Sequence, residues 1–492
     1  MITLILVIYT LFLIILFGYS IHAFILINYY YKFRRSSRST RKKKRLSEPF
    51  PVVTVQLPIY NEKYVVHRLI RSVTELDYPK KCLEIQVLDD SDDETIEIVE
   101  KLVRTYQDEG YDIKHIRRGS REGFKAGALQ FGLNMARGEF IAIFDADFVP
   151  PKDFLIELLP EFDSENVGGV QARWGHLNDS SSFLTRAQAI GLDNHFAMEQ
   201  RLRSLANCFI NFNGTCGIWR RTAIIDGGGW QSDTLAEDLD LSYRVQLKGW
   251  KIKYREDFPV EGELPENVAS FRIQQNRWAM GTIQVARKLL PKVLRSDLRP
   301  VAKFEAFVHL TCHINFLAML GLAIFSPIIV YLKVEGLAPL GYYIFASFFT
   351  IGAFGYPFLY YLSQRELYRD YRRRIPFIAG VIAYSMGLSV SNTKAIIEGW
   401  LKRHHFFTRT PKSGGKKQGY RPECKLFIPL LELFLGVYML VGLVYVIATL
   451  QLILIPFLLF YCYGFLNLGI FSLKDMIFIP KIKEVVCSRG NF

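Results

Sequence analysis

Long apolar blocks occupy both ends of the chain and flank a central segment with a different pattern. Residues 1–31 contain no Asp, Glu, Lys or Arg, and similar blocks recur after residue 300. The later blocks are residues 308–332, 337–362, 375–393 and 426–473. Because a transmembrane helix needs about 20 apolar residues, the pattern predicts membrane spans at both ends of the chain.

The central segment of residues 50–300 alternates short apolar runs with helical patterns. The apolar runs predict strands at residues 51–57, 83–88 and 139–144. The helical patterns cover residues 62–76, 93–109 and 123–136. This alternation predicts an α/β domain with a mainly parallel sheet and helices on both faces. Ligands of such sheets bind at the carboxyl ends of the strands, where acidic residues follow two of these runs.

Basic residues predict the orientation in the membrane. Eight of them lie between residues 34 and 45, after the first apolar block. The positive-inside rule places this cluster in the cytoplasm, and its position favours a retained anchor over a cleaved signal peptide. Basic residues also flank both sides of 375–393, so we expect a re-entrant or interfacial helix there. Residues 426–473 contain a single charged residue, Glu432, and are long enough for two spans.

These observations predict a multi-pass protein of the cell membrane with a cytoplasmic α/β domain and five spans, or six if residues 375–393 cross. The predicted organisation is a transmembrane helix at 1–31, a basic linker at 32–49, the α/β domain at 50–300, two transmembrane helices at 304–363, a basic interfacial segment at 364–425, two transmembrane helices at 426–473 and a cytoplasmic tail at 474–492.

Charge and cysteine content narrow the function classes. The net charge is +14, but much of the excess lies beside predicted spans, where it attracts anionic lipid, and no nucleic-acid motif accompanies it. We therefore expect a lipid bilayer as partner and no nucleic acid. The 7 cysteines form no C-x-x-C pair, which argues against a zinc site or a disulfide framework.

Two acidic motifs follow predicted strands. Asp145-Ala-Asp147 comes after the third strand, and its hard oxygens suit Mg²⁺ or Mn²⁺, which one or two carboxylates hold together with substrate phosphates. A solvated turn is the alternative explanation. Asp90 lies in an acidic run at 89–93 that also fits a capped helix N-terminus. With Tyr60 and Glu62, at the end of the first strand, Asp90 forms a candidate nucleoside pocket.

Three further motifs carry candidate chemistry. A Gly-rich basic loop over 118–127 precedes a helix, and Lys125 with the backbone donors of the loop could meet phosphate; a solvated loop is the alternative. Glu237 and Asp238 open another helical pattern, where a carboxylate facing the acceptor would act as general base. Gln274, Arg277 and Trp278 share one face of a helix, and their alternative explanation is an interfacial helix with a Trp anchor.

Together these motifs resemble glycosyltransferase family 2 in order and approximate spacing, over about residues 50–290. The Gln-x-x-Arg-Trp motif is similar to the processive branch, which includes cellulose, chitin, hyaluronan and mannan synthases. Three further runs resemble the cellulose-synthase-like group A, the β-mannan and glucomannan synthases. They are Val170-Gln-Ala-Arg-Trp174, Phe212-Asn-Gly-Thr-Cys-Gly-Ile-Trp-Arg220 and Thr408-Arg-Thr-Pro-Lys412.

The resemblance implies a GT-A domain that uses a UDP- or GDP-sugar with inversion, and a divalent metal. By the family pattern, Asp90 contacts the nucleoside, Asp145 and Asp147 bind diphosphate and metal, and Asp238 is the base. The pattern also implies that Gln274, Arg277 and Trp278 hold the diphosphate and the acceptor end, and that Asn213, Gly214 and Thr215 lie near the acceptor sugar. The residues themselves add Tyr60, Glu62 and Lys125 on the donor side and Glu237 on the acceptor side. The family often has Thr before Glu-Asp, whereas Ala236 stands here. Since the base is retained, we expect an effect on positioning only.

The leading hypothesis is a processive β-glycosyltransferase that extends a polysaccharide and passes it across the membrane. A non-processive enzyme that glycosylates a lipid acceptor is the first alternative, which product size would separate. A catalytically silent membrane protein that binds nucleotide-sugars is the second. Such a silent protein is expected to have lost acidic residues from these motifs, but every carboxylate position is filled.

Overall fold

The computed structural model describes residues 1–33, 46, 48–401, 409, 410, 412, 414 and 426–478. Several expectations lie outside these residues: the basic cluster at 34–45, much of the basic segment after 401, Thr408, Cys424, Cys487 and the end of the tail. The five cysteines among the described residues are free, as their spacing predicts.

The central domain contains one mixed sheet with strand order β3-β2-β1-β4-β7-β6-β8-β5. The strands are β1 (Val53–Ile59), β2 (Leu83–Asp89), β3 (Asp112–Ile116), β4 (Phe140–Ile143), β5 (Phe148–Val149), β6 (Val167–His176), β7 (Gly217–Arg220) and β8 (Lys251–Gly262). The first four strands are parallel to one another, which confirms that part of the prediction.

Beyond β4 the sheet is mixed and not mainly parallel as expected, although β6 and β8 are parallel to each other. Strand β7 is antiparallel to both β4 and β6, and β5 is antiparallel to β8. The reason is the direction of entry: Gly217, the first residue of β7, pairs with Ile143, the last residue of β4. The chain therefore enters β7 at the edge where β4 ends, and it runs back across the sheet.

Helices cover both faces of this sheet. They are α2 (Val66–Thr74), α3 (Thr95–Asp108), α4 (Phe124–Met135), α5 (Phe154–Leu158), α6 (Phe183–Asn194), α7 (Arg201–Leu205), α8 (Arg221–Asp226) and α9 (Glu237–Leu247). One core packs α2 and α3 against one face, and a second packs α4 and α9 against the other. Because both faces are covered, all seven positions of β2 are buried.

The remaining helices form an apolar bundle. They are α1 (Ile2–Phe33), α10 (Val268–Arg295), α11 (Pro300–Thr311), α12 (Asn315–Val334), α13 (Leu340–Phe348), α14 (Gly355–Leu367), α15 (Tyr371–Arg374), α16 (Ile378–Gly387), α17 (Ser389–Leu401), α18 (Phe427–Ala448) and α19 (Ile455–Phe478). Among the described residues, five helical segments are long and apolar enough to cross a membrane. Their large exposed apolar side chains match a lipid environment.

The segment expected to be re-entrant is a bent helix pair. The stretch Tyr371–Gly387 meets Ser389–Leu401 at 49°, so the described residues contain six candidate spans if this pair crosses as one. A bend of this size fits either a broken span or a re-entrant hairpin, and the expectation of a re-entrant or interfacial helix stays a prediction. Helix α10 lies between the two parts of the molecule and contacts α9 on one side and α17 and α19 on the other.

Candidate active site

A cavity of about 180 Å³ opens where the parallel strands end, between the sheet and helix α10. It collects side chains that are far apart in sequence. All the expected site residues line it except Thr215: Tyr60, Glu62, Asp90, Lys125, Asp145, Asp147, Asn213, Gly214, Glu237, Asp238, Gln274, Arg277 and Trp278. The topology explains this meeting, because β1, β2 and β4 are neighbouring parallel strands whose carboxyl ends share one edge.

The acidic residues that follow β2 make different contacts. Asp89 points into the domain, is fully buried and lies 2.8 Å from His115 Nε2. Burial acts to raise the pKa of Asp89, but hydrogen bonds with His115 and Ser91 outweigh it and hold that pKa below its usual value. Asp93 accepts a hydrogen bond from the Thr95 amide at the start of α3. Asp90 is the member of this run that lines the cavity.

Arginine side chains occupy the expected nucleoside pocket. The Arg118 guanidinium contacts both carboxylate oxygens of Asp90, with Nε 2.9 Å from Oδ1. The Arg121 guanidinium lies 3.4 Å from the centre of the Tyr60 ring, a close cation–π stack. The basic loop thus contributes guanidinium groups that sequence reasoning did not assign, since only its backbone and Lys125 were expected to act.

Lys125 is the centre of a compact charged group. Its Nζ lies 2.5 Å from Asp145 Oδ1, 3.0 Å from the Gly214 carbonyl oxygen and 3.8 Å from Glu237 Oε1. Burial acts to lower the pKa of Lys125, but Asp145 and Glu237 outweigh it, so the pKa lies above its usual value. Lys125 therefore carries a positive charge at neutral pH, at the point where an anionic ligand would enter.

Gly214 and Thr215 position this group. Gly214 has a φ of +76°, and an added Cβ would lie 3.0 Å from Asp238 Oδ2, so a side chain here would be strained and would crowd the carboxylate. Thr215, which we expected to contact the acceptor, is instead fully buried beneath the cavity floor. Its hydroxyl accepts a hydrogen bond of 2.9 Å from the Asp145 amide. Thr215 thus holds the Asp145 loop and does not face the cavity.

The candidate base stands at the start of α9. Asp238 Oδ1 accepts a hydrogen bond of 2.8 Å from the Leu239 amide, which fixes the carboxylate at the helix N-terminus. Burial, with a further contribution from the neighbouring Glu237 charge, raises the pKa of Asp238 to about 7. A carboxylate with a raised pKa is a stronger proton acceptor when ionised, which suits a general base near neutral pH.

Helix α10 carries the last set of cavity residues. Gln274, Arg277 and Trp278 all line the cavity, as the helical spacing predicts. The helix begins with Asn267, whose side chain accepts a hydrogen bond of 2.8 Å from the Ser270 amide and caps the N-terminus. This cap starts the helix about two turns before Gln274 and so sets which residues face the cavity.

Three described residues between α17 and α18 also line the cavity, namely Arg409, Thr410 and Lys412. Lys412 Nζ lies 2.5 Å from Asp147 Oδ2 and 2.7 Å from the Glu263 carbonyl oxygen, and it is buried. Arg409 Nη1 lies 3.1 Å from Glu62 Oε1. Burial raises the pKa of Glu62 to about 7, although Arg409 opposes the shift. The sequence signal was the Arg-Thr-Pro-Lys run, which carried resemblance but no site assignment.

Comparison with known proteins agrees with this geometry. Residues 51–281 match a family model described as "Glycosyltransferase like family 2". Over this range, which is just under half of the chain, the central domain is similar to that family. The matched range begins just before β1 and ends within α10, three residues after Trp278. It thus contains every expected site residue.

Curated relatives match about half of the chain. The chain is 44% identical over 261 residues to a probable glucomannan 4-beta-mannosyltransferase 7 of Oryza sativa subsp. japonica, covering 52% of this chain and 45% of the relative. It is 42% identical over 255 residues to glucomannan 4-beta-mannosyltransferase 2 of Arabidopsis thaliana, covering 51% and 48%. The matches span about half the length of each curated relative.

One solved structure confirms the fold. The mannosyltransferase PcManGT from Pyrobaculum calidifontis, solved in complex with GDP-Man and Mn²⁺, superposes with a TM-score of 0.53 at 20% identity. The match covers 80% of this chain and 99% of that one. The central domain accordingly has the expected GT-A fold, with several long apolar helices beside it.

Proposed function

We propose that this protein is a membrane-bound inverting hexosyltransferase that extends a β-linked polysaccharide from a nucleotide-sugar donor. The observation that carries the proposal is the single cavity in which Asp90, Asp145, Asp147 and Asp238 meet the Gln274–Trp278 face of α10. Acidic and basic side chains gathered in one cleft, with the pKa of Asp238 raised by burial, are typical of a functional site, and this set suits a polyanionic ligand bound with a cation. The curated relatives are mannosyltransferases by name, and PcManGT was solved with GDP-Man, so GDP-mannose is the first donor to test.

The donor occupies the side of the cavity formed by the strand ends. Tyr60, Glu62 and Asp90 contact the nucleoside, and Arg121 stacks over Tyr60 at the distance of a second flat group. Lys125, Gln274 and Arg277 face the diphosphate. A donor base that enters here displaces or extends the Arg121–Tyr60 stack, since both offer a flat surface to an aromatic ring.

The carboxylates fit a divalent cation that is bound together with the donor. Among the described residues no three His, Cys, Asp or Glu side chains form a complete metal cluster. Asp145 and Asp147 alone supply the one or two carboxylates that Mg²⁺ or Mn²⁺ takes when phosphates provide the rest. The lysine ammonium groups at 2.5 Å from each carboxylate mark both as sites for positive charge. A bound cation would neutralise charge on the departing diphosphate.

Asp238 acts as the base on the acceptor side. It takes the proton from the attacking acceptor hydroxyl, whose oxygen bonds to the anomeric carbon as the bond to the diphosphate oxygen breaks. Asn213, Gly214 and Glu237 border the acceptor sugar, and Trp278 provides its flat apolar platform. Direct displacement from the face opposite the leaving group inverts the anomeric centre, which converts an α-linked donor into a β-linked product.

The candidate spans support a position of this chemistry at a membrane, and the basic cluster at 34–45 supports the cytoplasmic face of the cell membrane. Helix α10 connects the cavity to the bundle, and the product leaves the cavity beside the candidate spans. Extension of a polysaccharide next to a helix bundle supports export of the product by the same chain.

The test is transfer by purified membranes. Incubation with radiolabelled UDP- and GDP-sugars, each with Mg²⁺ or Mn²⁺, is expected to give a long polymer from one hexose donor. A short product that partitions into organic solvent would instead indicate a lipid acceptor. No incorporation from any donor, with folded protein that binds no nucleotide, would contradict the proposal.

A further inference from the structure

Glu432 is an acid in the middle of an apolar sequence. It is the only charged residue between positions 426 and 473. It is fully buried in α18, which is one of the candidate spans. Ionisable residues in membrane spans are rare and usually have a partner and a role. The proposed transfer reaction does not use Glu432.

Its partner lies on the helix that carries the cavity motif. Arg272 Nη2 is 2.5 Å from Glu432 Oε2, and the arginine side chain is 5% exposed. The same Nη2 lies 3.5 Å from the Leu468 carbonyl oxygen of α19. The pair therefore joins α10 to two membrane helices within a buried environment.

The membrane side of this contact is closely packed. A Cβ on Gly436 of α18 would lie 2.5 Å from Leu466 of α19, and one on Gly464 of α19 would lie 2.1 Å from the Ala383 carbonyl oxygen of α16. Helices that approach this closely offer no room to shift. Glu432 is thus fixed to a rigid platform, one turn before Gly436.

The stretch of α10 between Arg272 and the cavity residues is short and unbroken. Arg272 precedes Arg277 by five residues, about 7.5 Å along a helix, and no break interrupts α10 between them. Asp475 Oδ2 of α19 adds a second polar contact, since it accepts a hydrogen bond of 3.3 Å from the Ala269 amide. Any displacement of Arg272 along α19 is therefore transmitted to Gln274, Arg277 and Trp278.

Stability alone does not explain a charged pair here. A buried ion pair loses much of its attraction to desolvation, and apolar side chains of similar volume often stabilise a protein as well or better. A charged pair differs in one respect: it allows one alignment of the two helices, because any other leaves a charge buried without its partner.

We propose that Arg272 and Glu432 form a positioning pair, which sets the register of α10 on the membrane helices and so holds Gln274, Arg277 and Trp278 at the cavity. This inference rests on the proposed glycosyl transfer. Neither residue lines the cavity, so both act through α10.

The test compares three variants of the full chain in detergent or nanodiscs. Glu432→Gln removes the charge and keeps the shape, and the double variant Arg272→Met with Glu432→Leu replaces the pair by apolar side chains. Glu305→Gln is the matched control. Glu305 lies on α11, is 2% exposed, and its Oε2 is 3.0 Å from His22 Nε2. Helix α11 carries no cavity residue.

We expect the double variant to keep the melting temperature of the wild type within a few degrees while kcat falls about 10- to 100-fold, since a misplacement of about 1 Å can cost that much in rate. The donor KM should change far less than kcat, because the strand-end residues still hold the nucleotide. Glu432→Gln should lower kcat less than the double variant does, and Glu305→Gln should leave it near the wild-type value.

Wild-type kcat in both Glu432 variants would overturn the proposal, as would an equal loss in the Glu305 control. Hydrogen exchange over residues 272–280 provides a readout that needs no donor, and it should be faster in Glu432→Gln than in the control. If the wild type transfers no sugar, the proposed function fails, whereas unchanged exchange in Glu432→Gln would reject the positioning role independently.

Discussion

The two sides of the cavity are built from different kinds of element. Tyr60, Asp90 and Asp145 stand on loops at the ends of neighbouring parallel strands, and their position follows from the sheet alone. Asp238 and Trp278 stand on helices, and α10 is held by the membrane bundle. Under the proposed function, the donor side depends on the central domain alone, while the acceptor side also depends on how that domain docks on the candidate spans.

This difference suggests a division of labour. Rigid strand ends suit a nucleotide, which is the same in every cycle. A helix fixed to the membrane suits the acceptor, whose end must stay aligned with both the base and the exit path. Substitutions on the two sides should therefore change different kinetic constants.

The largest effect is expected from Asp238→Asn. The amide cannot take the acceptor proton, so kcat should fall about 10²- to 10⁴-fold, the range that general-base catalysis contributes. Nucleotide affinity should stay within a fewfold of wild type in an equilibrium binding assay. Asp226→Asn is the control, because Asp226 is exposed on α8 away from the cavity. An equal loss of nucleotide affinity would argue against Asp238 as the base.

Asp147→Asn tests the metal on the donor side. The variant should weaken metal-dependent donor binding by at least the 10- to 100-fold typical of lost metal-site partners. Chelation should weaken donor binding to the wild-type protein similarly and should have little further effect on the variant. Protection of the protein from proteolysis by bound donor measures donor binding in both experiments. Protection of the wild type that persists in chelator would contradict a role for the cation.

The pH profile tests the environment of the base. Burial, with Glu237, raises the pKa of Asp238 to about 7, and a base acts in its ionised form. Activity should therefore be present above that pH and should fall about tenfold per unit below it, in kcat/KM of the free enzyme. A profile that is flat down to pH 5 would show that Asp238 is ionised there or is not the base.

A matched pair of milder substitutions separates the two sides directly. Trp278→Ala removes the acceptor platform, and Arg121→Ala removes the cation from the Tyr60 stack. Each contact is worth roughly 0.5–1.5 kcal/mol, which corresponds to about a two- to tenfold effect. Trp278→Ala should shorten the product with donor KM unchanged, and Arg121→Ala should raise donor KM with product length unchanged. The same response from both would remove the proposed division.

Much of the site could be predicted because its chemistry is local. Strand and helix periodicity determine the direction in which the side chains of a short motif point. This holds for Asp145-Ala-Asp147 after an apolar strand, and for Gln274, Arg277 and Trp278 on one helix face. Thr215 was misassigned because its neighbours Asn213 and Gly214 line the cavity, and only the turn of the backbone buries its hydroxyl under Asp145. The reversal of β7 could not be predicted, since strand direction depends on where the preceding helices return the chain.

Contacts between distant segments had no local signal. Arg118 on Asp90, Arg121 on Tyr60 and Lys412 on Asp147 join residues whose sequence patterns say nothing of one another. Glu432 was recognisable in the sequence as a single acid in an apolar stretch. No sequence pattern identified its partner on α10, which lies 160 residues earlier.

The sequence by itself determined the kinds of element and the chemistry each can carry, because periodicity, apolar length and side-chain type act over a few residues. Only the tertiary structure decided which charges meet, because Coulomb interactions and burial depend on distance in space and not along the chain. For this protein the consequence lies in α10: its motif was visible in the sequence, while its attachment to the membrane helices through Arg272 and Glu432 was not.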